Sequence, residues 1–107
     1  MDRIFHGLAD ATRRDIVVQV LHQEQSISAL AGRYDMSFAA VQKHVAVLER
    51  ATLIVKQRRG REQVVHGNPD VLQKVARLLD EYEQIWRLRV RAIDAILSED
   101  REKETGR

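Results

Sequence analysis

A mostly α-helical fold, with about five helices, a two-stranded β-hairpin and a long C-terminal helix, is what this sequence predicts. Three observations predict it. Apolar residues recur at steps of three and four over most of the chain, the period of an amphipathic helix. The period changes only between Ile54 and His66, where two runs rich in β-branched residues flank Arg59-Gly60-Arg61-Glu62. After Asn68-Pro69 the helical spacing resumes and continues to Leu97.

The first element is a short helix over residues 3–9, with Ile4, Phe5 and Leu8 on one face. Asp10 is an N-cap, because a carboxylate accepts from the free backbone N–H groups of the next turn. A helix over residues 11–22 follows, with Ile16, Val17, Val20 and Leu21 at helical spacing. Residues 23–25 are a polar break. Ser28 is then expected to cap a short helix over residues 29–33, with Gly32 tolerated inside it at some cost. Residues 34–36 make a tight turn. Ser37 caps a helix over residues 38–50, whose apolar positions are Val41, Val45 and Leu48.

Residues 54–58 and 63–66 are the strands of a hairpin, since a glycine sits in the four-residue basic turn between them. Asn68 as N-cap and Pro69 at the first helical position, where proline is favoured, start the last helix. The stripe Leu72, Val75, Leu79, Tyr82, Trp86, Val90, Ile93, Leu97 predicts roughly 28 residues and about 42 Å of helix. Val71, Leu78, Ile85, Leu88, Ala92 and Ile96 lie off that stripe, so one small core leaves a face to cover. Residues 1–98 are expected to be a single domain. Residues 99–107, almost all charged, are expected to be a disordered tail.

Composition excludes several classes. The chain has 107 residues, 44% hydrophobic and 32% charged, which is a globular balance. It has no cysteine, so disulfides, thiolate metal sites and cysteine nucleophiles are absent. The five glycines are scattered rather than gathered into a phosphate loop, and no nucleophile–base motif appears. No enzymatic activity is expected. No apolar run is long enough to span a membrane, and the expected place of action is the cytoplasm, at the nucleoid.

The net charge of +2 is modest but localised. Between Ser37 and His66 six basic residues (Lys43, Arg50, Lys56, Arg58, Arg59, Arg61) face two acidic ones, Glu49 and Glu62. The window carries +4 and the rest of the chain −2. Localised positive charge is the electrostatic footprint of a nucleic-acid binder.

Element order and charge together describe a winged helix-turn-helix. The helix after the turn is the reader, because an α-helix fits the major groove of B-DNA. Its N-terminal and outward residues are Ser37, Phe38, Ala39, Ala40, Gln42, Lys43 and His44. Gln42 can pair with adenine, Lys43 can reach guanine or a phosphate, and His44 can donate or accept. Ala39 and Ala40 allow close approach. Arg58, Arg59 and Arg61 on the hairpin are placed for phosphates or the minor groove.

Residues 8–16, LADATRRDI, resemble the opening signature of ArsR/SmtB-type regulators. Residues 36–54 resemble their recognition helix and its exit, Arg58-Arg59-Gly60-Arg61-Glu62 their wing, and Asn68-Pro69 the start of their last helix. The resemblance covers residues 3–97. It implies a homodimeric repressor of double-stranded DNA whose first and last helices form the dimer interface. That interface would contain Ile4, Phe5, Leu8, Leu79, Tyr82, Trp86, Val90, Ile93 and Leu97. Two positions depart from the family pattern. Thr52 stands where the family usually has glycine, which predicts a helix exit that is tighter or less strained. Gln42 replaces a common serine, so the operator is left open.

The metal sites of many such regulators have no counterpart in this chain. The last helix contains no histidine, and His6, His22, His44 and His66 fall on separate elements. No metal and no cofactor are expected, and the sequence names no effector. Two other readings stay open at this level: a winged-helix protein-interaction module without DNA binding, and a metal-responsive repressor with a histidine/carboxylate site.

Overall fold

A computed structural model describes residues 1–105, with side chains through Arg101. The elements are α1 (Asp2–Leu8), α2 (Ala11–His22), β1 (Gln25–Ser26), α3 (Ile27–Ala31), α4 (Phe38–Arg50), β2 (Ile54–Arg59), β3 (Glu62–Gly67) and α5 (Pro69–Thr105). Five helices and a hairpin match the expected fold class. The chain forms two compact units, Met1–Leu72 and Gln73–Arg107.

The first unit is built on one apolar cluster. Ile16, Val17 and Val20 of α2, Leu30 of α3, Val41, Val45 and Leu48 of α4, and Leu53, Ile54 and Val65 of the hairpin all lie within it. The steps of three and four along each helix put these residues on a single face, and burial of that face drives the unit together.

Local capping fixes where the helices begin. Asp10 Oδ1 accepts from Arg13 N at 3.0 Å, as expected of an N-cap. That bond holds the Asp10 carboxyl below its usual range. Arg13 Nε and Nη2 donate to the carbonyls of Gly7 and His6, both at 2.9 Å, and Arg14 Nη1 donates to Leu8 O at 2.8 Å. Two arginines from the first turn of α2 thus satisfy the free carbonyls that end α1. Positive charge there also suits the negative end of the helix dipole.

The short helix α3 begins two residues earlier than its predicted start. Ser26, not Ser28, is the cap: its Oγ accepts from Ala29 N at 3.0 Å. Either serine has the chemistry. Starting at Ile27 puts Ile27 and Leu30 one turn apart on the buried side, and that burial decides. Gly32 consequently falls at the C-cap rather than inside the helix. In the turn that follows, Tyr34 Oη donates to Asp15 Oδ2 at 2.6 Å. Partial burial, then this bond, pushes the phenol's pKa up. Ser37 caps α4 as expected, its Oγ accepting from Ala40 N at 3.1 Å.

The exit of α4 overturns the expectation of a less strained Thr52. Leu53 N donates to Leu48 O at 3.1 Å and Thr52 N to Glu49 O at 2.9 Å. This is the paired hydrogen-bond pattern of a Schellman motif, with Thr52 at the position that glycine usually takes. Thr52 has φ +62°, a left-handed conformation that a β-branched residue adopts only under strain. Burial of Leu48 and Leu53 holds the chain in that turn, both side chains being wholly inaccessible. Asn68 completes the corner. Its Nδ2 donates to Thr52 O at 2.9 Å, rather than its side chain capping α5, and its backbone N donates to Leu53 O at 3.1 Å.

The sheet has three strands rather than two. β1 pairs antiparallel with β3 (Gln25↔Val65, Ser26↔Val64), giving the order β1-β3-β2. Its two residues are too short to show an alternating pattern, so the segment reads as a polar break. In the hairpin Arg59 pairs with Glu62, leaving Gly60-Arg61 as a two-residue turn. Gly60 has φ +62°, which matches glycine at the first central position of a type II′ turn.

The second unit is the helical stretch of α5 beyond Leu72. The helix as a whole has 37 residues, longer than the pattern suggests. It takes in residues 99–105, where composition predicts a disordered tail. Glu, Lys and Arg are strong helix formers, and extending an existing helix adds one hydrogen bond per residue without a new nucleus. Residues 106 and 107 of that predicted tail lie outside the described residues.

Candidate nucleic-acid interface

The N-terminal turns of α4 present most of the predicted reading residues to solvent. Phe38 is 46% exposed, Ser37, Ala39, Gln42 and Lys43 are exposed, and Ala40 is half-buried. His44 is placed differently. It is half-buried beside the core residue Val45, and its Nδ1 lies 3.4 Å from Arg13 Nη1. Position 44 adjoins the Val41–Val45–Leu48 stripe, so the ring turns toward the α1–α2 corner rather than outward.

The wing carries its arginines at the tip. Arg58, Arg59 and Arg61 are all exposed. Arg58 Nε donates to Gly60 O at 3.3 Å across the turn. Arg61 shares an open cleft of about 240 Å³ with Ser26, Ile27 and Ser28 at the start of α3 and with Phe38 and Gln42 of the reading helix. One concave surface is therefore lined by the reader's first two turns and by the wing tip.

Pairing divides the basic residues into two sets. Lys56 Nζ lies 3.7 Å from Glu49 Oε1. Arg59 is held by Glu24, in the turn between α2 and β1: Nη1 bonds Oε1 and Nη2 donates to Oε2 at 3.1 Å. This pairing lowers the Glu24 pKa and raises that of Arg59. Lys43, Arg58 and Arg61 have no carboxylate partner among the described residues. Sequence reasoning missed Glu24, because a residue 35 positions from Arg59 gives no local signal.

The residues predicted for a dimer interface fall into two groups. In the first unit, Ile4 and Leu8 pack partly against the core, whereas Phe5 is exposed. In the second, Leu79, Tyr82, Trp86, Ile93 and Leu97 are exposed, Trp86 by 63%, and Val90 is half-buried. Among the described residues no three His, Asp or Glu side chains gather to hold a metal ion. Glu83, on α5, instead accepts from Arg87 one turn on, at 2.9 and 2.6 Å. No described helix is long and apolar enough to cross a membrane.

A capped reading helix after a short helix and turn, followed by a basic hairpin, defines a winged helix-turn-helix DNA-binding regulator. Comparison with known proteins agrees. The chain is 33% identical over 81 residues to the HTH-type transcriptional regulator Rv2034 of Mycobacterium tuberculosis, covering 76% of each chain. An ArsR-like transcriptional regulator from Rhodococcus sp. RHA1 superposes with a TM-score of 0.80 at 32% identity, over 91% of this chain and 89% of that one. A homodimeric winged helix-turn-helix DNA-binding domain from Mycobacterium bovis, described as a possible ArsR-family regulator, shares the fold. Its TM-score is 0.65 at 20% identity, over 77% of each chain. No family model matches the chain. The chain belongs to the ArsR family of winged helix-turn-helix transcriptional regulators, a family without enzymatic activity.

Proposed function

We propose that this regulator is a repressor that binds a pseudo-palindromic operator as a homodimer. The carrying observation is the cleft that Phe38 and Gln42 share with Arg61. From this face Gln42 reads base edges in the major groove, Phe38 and the neighbouring small residues Ala39 and Ala40 meet thymine methyl groups, and Ser37 and Lys43 contact the backbone. Arg58 and Arg61 hold phosphates from the wing. His44 acts in a supporting role, from its place beside Arg13.

The exposed apolar residues of α5, from Leu79 to Leu97, are a surface a second copy covers, and the exposed Phe5 of the first unit is a further contact. The homodimeric M. bovis domain of the same fold supports this. A two-fold dimer presents two reading helices about 34 Å apart, one turn of B-DNA. Its place of action is the bacterial cytoplasm, on the nucleoid.

The test is selection of bound sequences from a random duplex pool, followed by titration at several salt concentrations. Arg61→Ala is expected to weaken all sequences alike and to lower the salt slope by about 1. Gln42→Ala is expected to change the preferred bases. Binding without salt dependence and without preference would refute the reading. Light scattering is expected to give a dimer mass, and Trp86→Glu to lower it; a monomer mass for the wild type would refute the dimer.

A further inference from the structure

We propose that Glu24 is a built-in competitor of DNA phosphate for Arg59, so that the wing rests with one arginine withheld. This rests on the wing's phosphate-holding role above. Arg59 is the last residue of β2, directly before the turn Gly60-Arg61. It is therefore among the cations best placed to reach a duplex. Its guanidinium is nonetheless met by both carboxylate oxygens of Glu24, and Gln57 Oε1 accepts from Nη2 at 3.4 Å. The neighbouring Arg58 and Arg61 have no such partner among the described residues.

Both members of the pair are about half exposed. An exposed pair of this kind is weak in water and adds only a little to stability. It does occupy the fork that would otherwise hold a phosphate, because carboxylate and phosphate oxygens take the same bidentate geometry. DNA must then displace Glu24, or leave Arg59 unused with a carboxylate beside the backbone. Either way the affinity on all sequences is held below what three wing arginines would give. Sequence discrimination is expected to be unchanged, since neither Glu24 nor Arg59 lines the cleft that holds Phe38 and Gln42.

The experiment is a fluorescence-anisotropy titration of a labelled random-sequence duplex at several salt concentrations. The proteins are wild type, Glu24→Gln, Arg59→Gln and the double variant, each checked for folding by circular dichroism. Glu24→Gln is expected to tighten binding about fivefold at low salt and to steepen the salt slope by up to about 0.9, the value of one added phosphate contact. In the Arg59→Gln background the same change is expected to give a clearly smaller gain, because no guanidinium is released. An equal gain in both backgrounds would mean that Glu24 acts only by general repulsion, and would overturn the proposal. Weaker binding by Glu24→Gln would also overturn it, by showing that Glu24 positions Arg59 for DNA. Absence of duplex binding by the wild type at every salt concentration would overturn both this inference and the reading beneath it.

Discussion

Replacing Thr52 by glycine is expected to stabilise the protein. Thr52 sits at φ +62° at the end of the reading helix. The left-handed conformation costs an L-residue about 1–2 kcal/mol, and a β-branched residue lies toward the upper end. Glycine removes that strain. It also loosens the unfolded chain, which offsets about 0.5–1 kcal/mol. The one side-chain bond lost is Thr52 Oγ1 to Ala51 O at 2.6 Å, at an exposed residue where water replaces it. The net gain is about 0.5–1 kcal/mol. For a chain of this size that raises the melting temperature by about 2–4 °C. Urea unfolding of wild type, Thr52→Gly and Thr52→Ala at one protein concentration measures it, the fixed concentration removing any effect of association. Thr52→Ala keeps the Cβ and loses the hydroxyl, so it is expected to stay near the wild type. A midpoint for Thr52→Gly at or below that of the wild type, or equal gains from both variants, would refute the strain argument. Gly60 supplies the reverse case. It has the same φ with open space around it, so Gly60→Ala is expected to lose about 1 kcal/mol through backbone strain alone.

Two other outcomes follow from the caps and the charges. Ser26→Ala is expected to cost about 1 kcal/mol in urea unfolding and Ser28→Ala close to nothing, since only Ser26 Oγ accepts a backbone N–H; the opposite order would restore the sequence-based cap. Acid is expected to destabilise the fold in a defined window. The folded pKa values of Asp10 and Glu24 lie below their ordinary 3.8 and 4.5. Each therefore adds stability above its unfolded value and loses it as pH falls through the folded one. The urea midpoint is expected to decline below about pH 4.5, and less steeply in Glu24→Gln; a decline of equal slope in both would remove Glu24 from the account.

Much of the fold was legible because its determinants are local. Ser37, followed by apolar residues at 41, 45 and 48, specifies a capped amphipathic helix whatever surrounds it. Gly60 between β-branched runs specifies a hairpin, and Asn68-Pro69 a helix start. The charge window from Ser37 to His66, which carries the candidate interface, is legible because its cations are close in sequence.

What the sequence by itself determined about this protein was the order of its five helices and its hairpin, the segments that form the helix-turn-helix and wing, and its regulator class. The tertiary structure alone decided the rest, for one physical reason: these features depend on partners distant along the chain. Ser26 won the cap over Ser28 because Ile27 and Leu30 had a core to enter. Gln25 and Ser26 became a strand because Val64 and Val65 offered them an edge. His44 turned toward Arg13, two helices earlier in the fold, and Arg59 met Glu24. Thr52 in place of glycine predicts a tighter or less strained exit, yet the burial of Leu48 and Leu53 on either side imposes the left-handed turn on whatever residue stands there.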